Sequence, residues 1–127
     1  MGQYLIDNNV ISSYFSGKYS LSGQIFIAQI FDEVPNISII TEIEALSWIT
    51  SDKNKEAIIK EFIKDSNVFN LNSEITEQTI KIRRSKKIKT PDAIIAATAI
   101  VNNFILITND SDFEKIQNLK TLNPFSI

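Results

Sequence analysis

Neither cysteine nor histidine occurs anywhere in the 127 residues. Their absence removes the usual ligands of zinc sites, Ser-His-Asp and Cys-His catalysis, disulfide scaffolding and imidazole acid/base chemistry. What is left is carboxylates, Lys and Arg, hydroxyls, amides, or a bound ion with its waters, so oxygen-ligated metal chemistry gains by elimination. A charged leader region backed by a long apolar stretch is missing as well. The segment from Met1 to Asp7 carries only a short apolar run, so no signal peptide is expected. No window approaches the length of a membrane span, and a cytoplasmic protein with no membrane partner is expected. No internal repeat, low-complexity tract or second domain is expected from the pattern of the chain. With 43% hydrophobic and 22% charged residues, positions 1–127 are expected to form one domain around a single core. The net charge of -2 gives no global footprint for nucleic acid, yet it conceals a local excess: of the nine residues from Lys81 to Lys89, six are basic.

The chain alternates apolar runs with helical periodicity. Tyr4-Leu5-Ile6 reads as a strand ended by Asp7-Asn8-Asn9, after which Val10, Ile11, Tyr14 and Phe15 recur at helical spacing up to Gly17. Residues Ser20 to Ser22 are candidates to cap a second helix carrying Ile25, Phe26, Ile30 and Phe31. Pro35-Asn36 then breaks the pattern before the β-branched run Ile37 to Ile40, and a helix is expected from near Thr41. A further helix holds Ile58, Ile59, Phe62 and Ile63, followed by a strand over Val68 to Leu71. Ser73, with Glu77 nearby, opens a helix that becomes basic. Thr90-Pro91 then starts an alanine-rich, buried helix with Pro in its favoured first turn. Phe104 to Ile107 reads as a buried strand, and Thr121 to Ile127 as a final edge strand. Such alternation predicts an α/β fold with a parallel sheet covered by helices.

Asp7, Glu44, Asp92 and Asp110 each stand where an apolar run stops or a helix begins. If the runs are strands of one parallel sheet, side chains just beyond their carboxyl ends converge in the crevice where open α/β sheets bind ligands. Carboxylates brought together cannot all stay ionised without a neutralising partner. Oxygen ligands suit Mg²⁺ or Mn²⁺, which also activate water for phosphoester hydrolysis.

Each acid also has a local explanation. Asp7 fits an Asx-turn or helix cap. Thr41-Glu42-Ile43-Glu44 matches a capping box in which Glu44 reaches back to Thr41. Asp92 stands in a helix first turn, where the dipole favours negative charge. Asp110 or Asp112 fits a cap for the segment Ser111 to Ile116. Glu42 competes with Glu44, but two residues apart on a helix they cannot face the same way. The residues alone leave these alternatives open.

The order of four blocks is more specific. Leu5-Ile6-Asp7-Asn8-Asn9-Val10, Ser38-Ile39-Ile40-Thr41-Glu42-Ile43-Glu44, Thr90-Pro91-Asp92-Ala93-Ile94-Ile95-Ala96-Ala97-Thr98-Ala99 and Ile107-Thr108-Asn109-Asp110-Ser111-Asp112-Phe113 together resemble the PIN-domain ribonucleases over essentially the whole chain. Within that family the likeness is to the VapC-type toxins of toxin-antitoxin pairs. The resemblance implies an α/β/α sandwich with a central, mostly parallel sheet of four to five strands. It implies a catalytic set of Asp7, Glu44, Asp92 and Asp110, with Asp7, Asp92 and Asp110 holding one or two Mg²⁺ or Mn²⁺ ions and Asn9, Thr108 and Asp112 in support. Asn8 departs from the Thr or Ser usual after the first acid. The implied reaction is RNA hydrolysis leaving a 5′-phosphate and a 3′-hydroxyl. The implied partners are an RNA substrate, a small antitoxin and a second copy in a homodimer, and the antitoxin groove would draw on apolar residues of the first two helices.

Within the basic run, Arg83, Arg84, Lys86 and Lys87 are candidates to track an RNA backbone; a solvated helix end favoured by the dipole explains the same charges. Tyr14 and Tyr19 are candidate base-stacking rings, and Trp48 a core or interface residue. A non-catalytic PIN-like domain that binds RNA or a partner is the alternative. A haloacid-type phosphatase fits less well, because Asn9 stands where it would want a second Asp.

Overall fold

The computed structural model describes residues 3–127; Met1 and Gly2, at the head of the segment read for a leader, lie outside the described residues. Along the chain the elements are β1 (Tyr4–Ile6), α1 (Asn8–Phe15), α2 (Leu21–Asp32), β2 (Asn36–Ser38), α3 (Ile39–Ser47), α4 (Lys53–Lys64), β3 (Asn67–Phe69), α5 (Ser73–Ser85), α6 (Thr90–Val101), β4 (Ile105–Ile107) and β5 (Thr121–Leu122). Two 3₁₀ turns, Ser111–Lys115 and Pro124–Ser126, flank β5. The five strands form one sheet in the order β3-β2-β1-β4-β5, and every pairing is parallel. The fold is therefore the expected α/β/α sandwich, with no antiparallel strand in its sheet among the described residues.

Side-chain alternation splits the core between the two faces. In β1 and β4, Leu5 and Leu106 are paired in register, and so are Ile6 and Ile107. Successive strand residues point to opposite faces. Leu5 and Leu106 accordingly pack with Ile75 and Ile82 of α5, the alanines of α6, and Phe113. Ile6 and Ile107 pack with Val10, Ile11, Ile27, Ile37, Ile59 and Ile63 from the opposite layer. The alanines matter for spacing. Ala93, Ala96, Ala97 and Ala99 are fully buried, which lets α6 lie close to both the sheet and α5. On the other face an aromatic cluster joins Tyr14 and Phe15 of α1 to Phe31 of α2 and Phe62 of α4, with ring centroids 4.6 to 6.1 Å apart.

Several boundaries differ from those the sequence predicts, and those of α3, α5 and the final segment have a capping cause. The run Ile37 to Ile40 is not all strand. The Ser38 hydroxyl oxygen accepts a hydrogen bond from the Ile40 N–H at 3.1 Å, so β2 ends there and α3 starts at Ile39, ahead of Thr41. The Glu44 capping box therefore does not form. α5 is capped by the Asn72 carboxamide, which accepts from the Ile75 N–H at 2.9 Å, with Ser73 already inside the helix. The expected strand over Val68 to Leu71 starts one residue earlier, at Asn67, and ends two residues earlier, at Phe69. The final segment gives only a two-residue strand before Asn123 caps a 3₁₀ turn. Ser20 caps α2 as expected. Of the apolar residues proposed for a groove on α1 and α2, Val10, Ile11 and Ile30 are core, while Ile25 is exposed.

Candidate metal and nucleic-acid site

The chain leaves β1 directly into α1, and Asp7 occupies the junction. Its carboxylate is 6% exposed. Oδ1 caps α1 by accepting from the Asn8 N–H at 2.8 Å, and Oδ2 accepts from the Thr108 hydroxyl at 2.8 Å. Thr108 follows β4, the neighbour of β1, so parallel pairing brings the two together. The same Thr108 oxygen accepts from the Asp110 N–H at 3.0 Å and thereby fixes the loop that carries Asp110. Asp110 in turn caps the following 3₁₀ turn by accepting from the Asp112 N–H at 2.9 Å. Capping and a place in the crevice are thus not alternatives, since Asp7 and Asp110 do both.

Asp7, Glu44, Asp92 and Asp110 line one cavity of about 530 Å³, together with Asn8, Asn9, Ser12, Ser47 and Trp48. Asp92 reaches it from the first turn of α6 and Glu44 from α3. Glu42 does not line it, and neither does Asp112. Residues of positions 7 to 110 therefore meet in the crevice outside the strand ends. Among the described residues, no Lys or Arg forms an ion pair with any of the four acids.

The electrostatic consequence falls on Asp7, Glu44 and Asp92. Burial pushes the Asp7 carboxyl up from 3.8 to about 6, against the lowering effect of its two hydrogen bonds, with Glu44 and Asp92 adding repulsion. Burial and then Asp92 raise Glu44. Burial and then Asp110 raise Asp92, with Lys89 partly offsetting them. Desolvation and like charge both disfavour the ionised form, and a positive charge in the cavity would offset both.

Among the described residues no three carboxylates converge closely enough to ligate one ion directly. Asp7, Asp92 and Asp110 are therefore spread over the walls of the cavity. That arrangement still fits Mg²⁺ or Mn²⁺. Mg²⁺ retains several of its waters and takes only one or two protein carboxylates, leaving other acids to reach it through water.

Asn9 is held as well as present. Its side-chain oxygen accepts from the Asn109 N–H at 3.1 Å. Sequence reasoning passes over Asn109, and over Ser12, Ser47 and Trp48 as cavity residues. A signal for two of these is present, because Ser12 lies four residues after Asn8 and Ser47 three after Glu44, each on a shared helix face, while Trp48 is the C-cap of α3. Trp48 is 45% exposed, with the Lys55 ammonium 5.7 Å from its ring centroid. Tyr19 is not available for base stacking. It is 6% exposed and its hydroxyl donates to Asn109 at 2.7 Å. Tyr14 is committed to the aromatic cluster. The basic residues Arg83, Arg84, Lys86 and Lys87 are exposed at the end of α5 and in the loop to α6. The Arg83 Nε donates to the Ile88 carbonyl at 3.2 Å.

A parallel sheet with an acid-lined crevice at its strand ends defines a class of α/β proteins whose ligand crevice lies at the carboxyl edge of the sheet. Within that class, this chain belongs to the PIN domain family, which matches residues 4–119. Its structure is similar to that of a toxin-antitoxin complex from Klebsiella pneumoniae, at 27% identity and a TM-score of 0.76, covering 98% of this chain and 99% of that one. It is also similar to DNA-bound VapBC from Salmonella typhimurium, at 19% identity and a TM-score of 0.79 over 98% of this chain and 99% of that one. FitAcB from Neisseria gonorrhoeae is a third, at 19% identity and 0.76 over the same shares of the two chains. No curated protein matches the chain in sequence. Among the described residues no helix is long and apolar enough to cross a membrane.

Proposed function

We propose that this protein is a metal-dependent endoribonuclease that hydrolyses RNA phosphodiester bonds and serves as the toxin of a toxin-antitoxin pair. The observation that carries the catalytic reading is the convergence of Asp7, Glu44, Asp92 and Asp110 on one cavity with no ion pair to any of them among the described residues. Family membership over residues 4–119 supports it. The toxin role draws support from the 27% identity, over nearly the full length of both chains, to a chain of a toxin-antitoxin complex.

Asp7, Asp92 and Asp110 would hold one or two Mg²⁺ or Mn²⁺ ions directly or through water, and Glu44 a second ion or an ordered water. A bound ion lowers the pKa of the attacking water and offsets charge on the phosphoryl oxygens. The protein's own share is placement. Both Asp7 oxygens already accept hydrogen bonds, which fixes the carboxylate before any ligand arrives. Asn9 is locked to the loop after β4. Water adds to phosphorus as the bond to the 3′ oxygen breaks, and that oxygen leaves as a hydroxyl. Arg83, Arg84, Lys86 and Lys87 would track the RNA backbone, supplying affinity without sequence information. An antitoxin or a second copy would cover apolar surface, for which the exposed Ile43, Leu46, Ile49 and Ile58 are available.

The deciding experiment incubates the purified protein with a panel of structured RNAs and Mg²⁺, beside an Asp7→Asn control. Cleavage that EDTA stops and the variant lacks is the expected result. Intact RNA across the panel, with binding retained, would instead assign the domain to the non-catalytic binders.

A further inference from the structure

The α1–α2 loop and the last residues of the chain meet behind the loop that carries Asp110. Tyr19, buried in that first loop, donates its hydroxyl hydrogen to the Asn109 side-chain oxygen at 2.7 Å. The Asn109 side-chain nitrogen donates to the Ser13 hydroxyl at 3.0 Å and the Asn9 carbonyl at 3.4 Å, and its backbone N–H donates to Asn9 Oδ1 at 3.1 Å. Asn109 thus ties α1 to the segment between Thr108, which holds Asp7, and Asp110, which lines the cavity.

Tyr19 is itself held from behind. Its ring lies against Phe125, with centroids 4.6 Å apart. The adjacent Ser20 hydroxyl donates to the Ile127 carbonyl at 2.9 Å. Space here is tight, since a Cβ added at Gly23 would meet the Pro124 carbonyl oxygen at 3.0 Å and the Tyr19 Cβ at 3.1 Å. Neither Tyr19 nor Phe125 lines the cavity. Burial raises the Tyr19 hydroxyl further above its ordinary range, so it remains a donor.

We propose that Tyr19 is a positioning residue for the proposed nuclease: its hydroxyl, through Asn109, fixes Asn9 and the Thr108–Asp110 segment relative to Asp7, and the packing of Phe125 holds it there. This rests on the functional reading above for its catalytic consequence, while the hold itself is a property of the metal-free protein. Four hydrogen bonds converge on Asn109, and one comes from the side chain of a separate loop. Removing that one bond leaves the carboxamide oxygen without its donor and the side chain held only through its nitrogen, without opening the core.

The test is Tyr19→Phe, which keeps the ring and deletes the hydroxyl, with Phe125→Ala as a second variant acting on the ring from outside. A net hydrogen bond is worth about 1 kcal/mol, so kcat is expected to fall about fivefold with KM unchanged. Backbone amide exchange at Asn109 is expected to quicken by about the same factor, with Leu5 and Ile107 unaffected. Phe125→Ala should shift both readouts in the same direction. Wild-type exchange at Asn109 in Tyr19→Phe overturns the inference. So does acceleration shared equally by Leu5 and Ile107, which marks general loosening, and so does unchanged kcat despite local loosening. If the wild-type protein cuts no RNA, the nuclease reading fails, and the exchange pattern still decides whether Tyr19 holds the loop.

Discussion

Thr108 and Asp7 are 101 positions apart in the chain, and the hydroxyl of one lies 2.8 Å from the carboxylate of the other. The bond spans the seam between β1 and β4 and sits where both strands end. It partly offsets the burial of Asp7, whose carboxyl would otherwise lie still further above its ordinary range.

Thr108→Val removes this hydroxyl at nearly constant volume. Asp7 Oδ2 loses its donor and the Asp110 N–H loses its acceptor, both in a largely dehydrated setting. Urea denaturation at pH 7 should show a loss of about 1–3 kcal/mol. The alkaline displacement of Asp7 should grow, because a bond favouring its charged form is gone. Stability equal to wild type would show that the hydroxyl is dispensable.

Asp7→Asn should behave in the opposite sense in the absence of metal. With a folded value of about 6 against 3.8, the ionised form is disfavoured by folding. The penalty is absent below pH 3.8, grows between 3.8 and 6, and is complete above that. At pH 7 it amounts to about 3 kcal/mol. Asn keeps the helix cap. Metal-free Asp7→Asn is therefore expected to melt several degrees higher than wild type at pH 7, with the gap closing towards pH 4, while cleaving no RNA. A lower melting temperature at pH 7 would contradict the account of a frustrated carboxylate.

Cation binding should relieve the same repulsion. Mg²⁺ or Mn²⁺ is expected to raise the melting temperature in proportion to the logarithm of its concentration, more strongly at pH 7 than at pH 5, where protons compete. The single Trp of the chain lines the cavity, so Mn²⁺ should also quench its fluorescence. Absence of both effects would remove the metal from the proposal.

Replacing Arg83, Arg84, Lys86 and Lys87 together by Ala should weaken RNA binding across sequences and flatten its dependence on salt, with kcat little changed. Each phosphate no longer neutralised makes the slope of log K against log salt shallower by about 0.7 for single strands. Titrations with labelled RNA at several ionic strengths measure this. An unchanged slope would reduce the basic run to a solvated helix end.

Strand-helix alternation, the four acids and their order are legible in the sequence because they rest on periodicity and on turn chemistry at strand ends. Whether Asp7 and Asp110 are caps or site residues is not legible, because a carboxylate with two oxygens serves both. The start of α3 is obscured by the apolar, isoleucine-rich run from Ile37 to Ile40, where only the Ser38 cap decides where strand gives way to helix. Tyr19 reads as a candidate stacking ring and is in fact a buried donor. Its partner Asn109 is 90 positions away, and nothing local to Tyr19 announces that contact. Asn109 itself escapes notice because an amide in a turn has an adequate local explanation.

The wholly parallel sheet has a temporal implication. With no hairpin in it, β1 gains its neighbour β4 only after about a hundred residues have been made, and Asp7 has no Thr108 to meet until then. Under the proposed function, a nascent chain that has not yet reached Thr108 would have no assembled acid cavity with which to act on RNA.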